Sequence, residues 1–136
     1  MKAAGGGPSA EALMREAVKA REASYSPYSR FAVGAALLGA SGRIYHGCNV
    51  ENASFGLTCC AERTAAFKAV SEGEQEFLAV AVTARTGHGA PPCGACRQVL
   101  WELCGDIWVH MVGRRGQSET VRLSTLLPRP FDRRNL

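Results

Sequence analysis

"FLAVAVTARTGHGAPPCGACRQVLWELCGDIWVHMVG" fills residues 77–113 and places three elements in succession. Residues 77–85 are a short apolar run between Gly73 and Gly87, which predicts a strand. The stretch "TGHGAPP" (86–92) is loop. Val99, Leu100 and Leu103 then set an apolar stripe through 93–105, a helix ended by Gly105. "DIWVHMVG" (106–113) predicts the next strand. Strand, helix and strand in this order are what an α crossover between parallel strands requires.

Working outward, "SETVRLS" (118–124) pairs with 106–113 across the turn "RRGQ", and "TLL" forms a last helical turn before Pro128. Toward the N-terminus, a helix over about 60–72 carries Ala65, Ala66, Ala69 and Val70, with Gly73 as its stop. "ENASFGL" (51–57) is a polar loop. "FAVGAALLG" (31–39) and "RIYHGCNV" (43–50) form a hairpin about "SG". Ser9 caps a first helix over roughly 10–24, with Leu13, Ala17 and Ala20 on one face; Ser26-Pro27 breaks it. The order α-β-β-α-β-α-β-β-α predicts an α/β fold: a three-layer α/β/α sandwich on a mixed five-stranded sheet. Residues 1–8 read as a flexible leader and 9–136 as one domain.

Composition agrees with one globular domain: 136 residues, 46% hydrophobic and 21% charged. The longest near-apolar run, 31–40, is half of what a bilayer needs, so no membrane association is expected. The N-terminus lacks the apolar core of a secretory signal, which places the protein in the cytoplasm. There the six cysteines favour metal binding or catalysis over a disulfide framework. A net charge of +4, with arginines gathered near the C-terminus, describes a solvated surface better than a nucleic-acid groove.

Cys93 and Cys96 stand i, i+3 at a helix start, so both sulfurs can meet one metal. Cys60 opens the other helix. Two helix N-termini brought together favour thiolates. Three cysteines leave zinc an open position, as catalysis requires. Three thiolates also leave a net negative charge, which Arg63 could offset, with Arg97 as a second candidate. Glu62 suits a proton carrier beside the metal, but it can share a pocket with Cys60 only if Cys60 sits at the cap or first turn. Cys59 then points elsewhere as a small buried hydrophobe. The C-x-x-C pair alone would also fit a redox pair or half of a four-cysteine structural zinc site, with Cys48 or Cys104 as the fourth ligand. His46, His88 and His110 lack metal spacing and are expected on surface or turns.

The blocks "PYSRFAVGAAL" (27–37), "GCNVENASFGLTCCAERTAAFKAVSEG" (47–73), "PCGACRQVLWE" (92–102) and "LLPRPF" (126–131) together resemble the cytidine deaminase family, in its small homotetrameric form with three zinc cysteines. The resemblance implies one zinc per subunit on Cys60, Cys93 and Cys96, and Glu62 as general acid/base. It implies deamination of free cytidine and deoxycytidine to the uridine forms with release of ammonia, a step of pyrimidine salvage. Arg63 would neutralise the thiolates. The segment Asn49, Val50, Glu51, Asn52, Ala53, Ser54 and Phe55 would bind the nucleoside, with Asn49 and Glu51 on the ribose 3′-hydroxyl. Phe31 and the backbone of Ala61 would contact the base, and Phe131 would come from a neighbouring subunit. The end, "DRRNL", departs from the acidic tail that relatives often carry.

Overall fold

The computed structural model describes residues 7–85 and 89–136. Apart from Gly7 and Pro8, the expected leader lies outside them, as does His88. The elements follow the expected order: α1 (Ala10–Arg21), β1 (Val33–Gly39), β2 (Ile44–Cys48), α2 (Ala61–Ser71), β3 (Phe77–Ala84), α3 (Gly94–Cys104), β4 (Trp108–Val112), β5 (Ser118–Arg122) and α4 (Leu123–Leu126). The five strands form one sheet in the order β2-β1-β3-β4-β5. Only β3 and β4 run parallel, joined through α3, and the other neighbours are antiparallel. Strand alternation sends Ala36, Leu38, Ala79 and Ala81 to one face, against Leu13 and Ala17 of α1. Leu37, Tyr45, Val80, Val82 and Val109 go to the other face, against the alanines of α2 and Leu100 of α3. The three-layer sandwich is therefore present. Among the described residues no helix is long and apolar enough to cross a membrane.

Two glycines set how closely the helices lie on the sheet. A Cβ at Gly34 would overlap the Ala17 carbonyl oxygen and the Arg21 nitrogen of α1. A Cβ at Gly47 would overlap the Ala61 carbonyl oxygen and crowd the Ala65 nitrogen. Gly47 thus lets the first turn of α2, which carries Glu62, seat directly on β2.

The elements end earlier than periodicity suggests, and each difference has a local cause. Helix α1 stops at Arg21 and not near residue 24, because the Tyr25 amide bonds the Asn49 carbonyl and starts a bridge to Val50. Strand β1 starts at Val33, not Phe31. Arg30 sits in the left-handed region at φ 57°, and the Asn49 side chain takes the place of a ladder partner. Its Nδ2 donates to the Phe31 carbonyl at 2.7 Å and its Oδ1 accepts from the Val33 amide at 2.9 Å. Strand β2 stops at Cys48, because Val50 pairs with Tyr25 and Cys59 instead of β1. Within the polar loop, residues Phe55–Leu57 form a short 3-10 turn that periodicity cannot reveal.

The histidines correct one expectation. His110 is not on the surface: it is buried in β4, with Nδ1 2.7 Å from the Thr120 hydroxyl. Burial lowers its pKa, so it is held neutral in the core. His46 keeps a surface position, on strand β2 with its side chain partly exposed and Nε2 2.8 Å from Glu16 of α1.

Candidate active site

Helices α2 and α3 pack side by side, and each begins on a cysteine. Cys60 is the N-cap of α2, Cys93 the N-cap of α3, and Cys96 lies in the first turn of α3. Extended backbone at both caps turns the sulfurs toward each other, ahead of two positive helix ends. The Sγ atoms of Cys60 and Cys93 are 3.9 Å apart, those of Cys93 and Cys96 3.5 Å, and all three lie within 4.8 Å. Tetrahedral zinc–thiolate bonds of about 2.3 Å would put sulfurs about 3.8 Å apart. The trio fits zinc. Among the described residues no fourth His, Cys, Asp or Glu joins the cluster, so Cys48 and Cys104 are not ligands. Cys104 packs against the core, and burial pushes its thiol up to about 12.

Charge balance is also visible. Arg63, one turn along α2, donates from Nη2 to the Cys60 sulfur at 3.3 Å. Its Nε is buried without a hydrogen-bond partner among the described residues, which suits a guanidinium facing thiolates. Hydrogen bonding from Cys96 and then the arginine hold Cys60 down to about 5, so its thiolate is favoured. Arg97, the second candidate cation, does not approach the sulfurs. It donates instead to the carbonyls of Pro92 and Leu126. Cys59 is half-buried and not a full core residue. It accepts a 3.6 Å contact from the Thr64 hydroxyl and lies outside the sulfur trio.

Because Cys60 sits at the cap, Glu62 reaches the same cavity, as the helical geometry requires. This cavity, about 410 Å³, is lined by Phe31, Asn49, Glu51, Cys60, Ala61, Glu62 and Cys93 among the expected residues. Glu62 is 4% exposed. Burial pushes its carboxyl up to about 7, where one group can both take and return a proton near neutral pH. Val33, Val82, Ala90 and Pro91 add an apolar wall. Ala61 shows the cavity its backbone and methyl group only.

The polar end of the cavity is built by three segments. Val50 exchanges backbone hydrogen bonds with Cys59, and Tyr25 bonds Asn49 and Glu51, so residues 49–51 are fixed between two strands of chain. The Asn49 Oδ1 accepts from the Ser24 hydroxyl and the Val33 amide, and its Nδ2 spends one hydrogen on Phe31. Among the described residues the second hydrogen of Nδ2 has no partner. Glu51 accepts from the amides of Tyr28 and Ser29 and from the Ser29 hydroxyl. These bonds lower its pKa, led by the Ser29 hydroxyl, so it is a fixed carboxylate.

The other expected residues lie outside this cavity. Val50 contributes backbone pairing while its side chain is exposed. Asn52, Ala53 and Ser54 form an exposed turn, in which the Asn52 side chain accepts from the Ser54 amide. Phe55 meets Tyr28 edge-to-face and lines an adjoining hollow that shares Ser29, Glu51 and Thr58 with the cavity. Phe131 is 61% exposed and does not line the cavity of its own chain. Motif spacing does not reveal Ser29 or Ser24: each positions a polar side chain more than twenty residues away, Glu51 and Asn49 respectively, and so leaves no local signal.

The family model for the cytidine and deoxycytidylate deaminase zinc-binding region matches residues 8–111, which contain all three sulfurs and Glu62. The chain belongs to that family. The cytidine deaminase of Halalkalibacterium halodurans is 54% identical over 120 residues, 88% of this chain and 91% of the relative. That of Sporosarcina psychrophila is 51% identical over 127 residues, 93% of each. Among solved structures, the cytidine deaminase of Burkholderia pseudomallei superposes with a TM-score of 0.88 at 46% identity, covering 91% of this chain and all of the other. Deaminases of this family are hydrolases, and the matched region is the family's zinc-binding one; Cys60, Cys93 and Cys96 can hold that metal.

Proposed function

We propose that the protein hydrolytically deaminates free cytidine and deoxycytidine to uridine and deoxyuridine, releasing ammonia, with one zinc per subunit on Cys60, Cys93 and Cys96. One observation carries the reading: a buried carboxyl of raised pKa shares a cavity with a three-sulfur cluster. When bound, zinc supplies Lewis-acid activation of the attacking water. Glu62 takes a proton from that water and delivers it to ring N3. The water oxygen bonds ring C4. Glu62 then takes the second proton of that oxygen and passes it to the amine as the C4–N bond breaks, so water and cytidine balance to uridine and ammonia. Phe31, Val33 and Val82 support a planar base, with the Ala61 backbone at its edge.

Asn49 and Glu51 hold the ribose 3′-hydroxyl, through the remaining Asn49 hydrogen and the fixed carboxylate. The family's description includes deoxycytidylate, so the choice between nucleoside and nucleotide has to be made locally. Glu51 makes it, because a carboxylate pinned at the polar end repels a phosphate. Purified protein should release ammonia from cytidine and deoxycytidine and act poorly on the 5′-monophosphate. Glu51→Gln should lower kcat/KM for cytidine by about 10- to 100-fold, the cost of losing a charged hydrogen bond. A preference for the monophosphate in the unaltered protein overturns this assignment.

The active form is a homotetramer with shared sites. Phe55, Leu57, Phe67, Val70 and Phe131 are large exposed apolar side chains on the single chain, a pattern that self-association would cover. Phe131, outside its own cavity, packs over the base in a neighbouring copy. Phe131→Ala should raise KM while the zinc content stays at one per chain. A fully active monomer, identified by mass in solution, contradicts the shared site.

A further inference from the structure

Arg97 is adjacent to Cys96, yet its guanidinium turns away from the sulfurs and bridges two parts of the chain. Nε donates to the Pro92 carbonyl at 2.7 Å, and Nη1 donates to the Leu126 carbonyl at 2.8 Å. Pro92 is the fully buried residue immediately before Cys93, and Leu126 closes α4. Two further side chains of α3 hold the same C-terminal segment. Gln98 Nε2 donates to the Phe131 carbonyl at 2.7 Å, and Trp101 Nε1 donates to Asp132 at 3.1 Å.

The three sulfurs are unequally supported. Cys96 is buried in the helix and Cys60 is gripped by Arg63, whereas Cys93 is exposed. The peptide bond that leads into Cys93 carries the Pro92 carbonyl, and Arg97 holds that carbonyl. We infer that Arg97 is a positioning residue for the metal ligand Cys93, clamping its peptide to the C-terminal segment so that the zinc site keeps its shape. This rests on the reading that the three cysteines hold zinc. The role needs a planar fork with donors aimed at two carbonyls, which a lysine does not supply.

The test compares zinc-loaded wild type, Arg97→Gln and Arg97→Lys. It measures the rate of zinc release to a colour-forming chelator and the visible absorption bands of the cobalt-substituted forms. Both variants should release zinc about 10- to 100-fold faster, as outer-shell changes at metal sites do, with shifted cobalt bands and unchanged far-ultraviolet circular dichroism. Release at the wild-type rate from both variants overturns the clamp. So does a lysine variant indistinguishable from wild type, since positive charge alone would then suffice. If Arg97→Gln does not fold, the lysine variant decides the matter by the same measurements. Wild type that takes up no zinc overturns the ligand reading itself, and the inference with it.

Discussion

Glu62→Gln should leave a folded, zinc-loaded protein that has lost nearly all of its turnover of cytidine. The amide matches the carboxyl in shape but can neither accept the proton of the attacking water nor return one to the leaving amine. The expected loss in kcat is about 10²–10⁴-fold, the usual contribution of a positioned acid/base. The fold should survive, because burial already disfavours the charged form of this side chain and the change removes no ion pair. Ammonia release and metal analysis on the same preparation separate the two properties. Turnover within tenfold of wild type would remove Glu62 from the chemistry. Loss of zinc together with activity would instead make it part of the metal site.

Removal of zinc is the second large effect. Cys93 is exposed, which gives a chelator an approach to the cluster. The metal-free protein should lose activity by roughly 10³-fold or more, since Lewis-acid assistance is worth several kcal/mol, and should regain it with added zinc. It should also melt at a lower temperature, because zinc binds only the folded arrangement of ligands that lie far apart in the chain. Cys96→Ala should reproduce both losses irreversibly. Cys59→Ala, beside Cys60 but outside the trio, should keep zinc and activity. Full activity in the metal-free protein would refute a catalytic metal.

Much of this architecture is written in local patterns. The apolar run of β3, the stripe of α3 and the stop at Gly105 are local signals, and the crossover unit forms where they place it. Element ends were less legible. Periodicity reports which face of a segment is apolar, but Tyr25, Asn49 and Val50 exchange hydrogen bonds across the chain and end α1, β1 and β2 early. The location of His110 was hidden for the same reason: its neighbour Thr120 comes from the adjacent strand, and burial is a property of the packed sheet.

At the site, residue type and spacing already named the sulfurs and the acid beside them, because a metal's demand for thiolates and a helix's three-residue step are both local constraints. Tertiary structure decided how these groups are used. It put Cys60 at a cap so that Glu62 could share its cavity, gave the sulfur contact to Arg63, and sent Arg97 to two distant carbonyls. It also spent most of Asn49 on holding the backbone and fixed Glu51 through Ser29. The physical reason is the range of the forces involved. Propensity and spacing act within a few residues, whereas a long polar side chain bonds whichever partner the packed sheet and helices bring within about 3 Å.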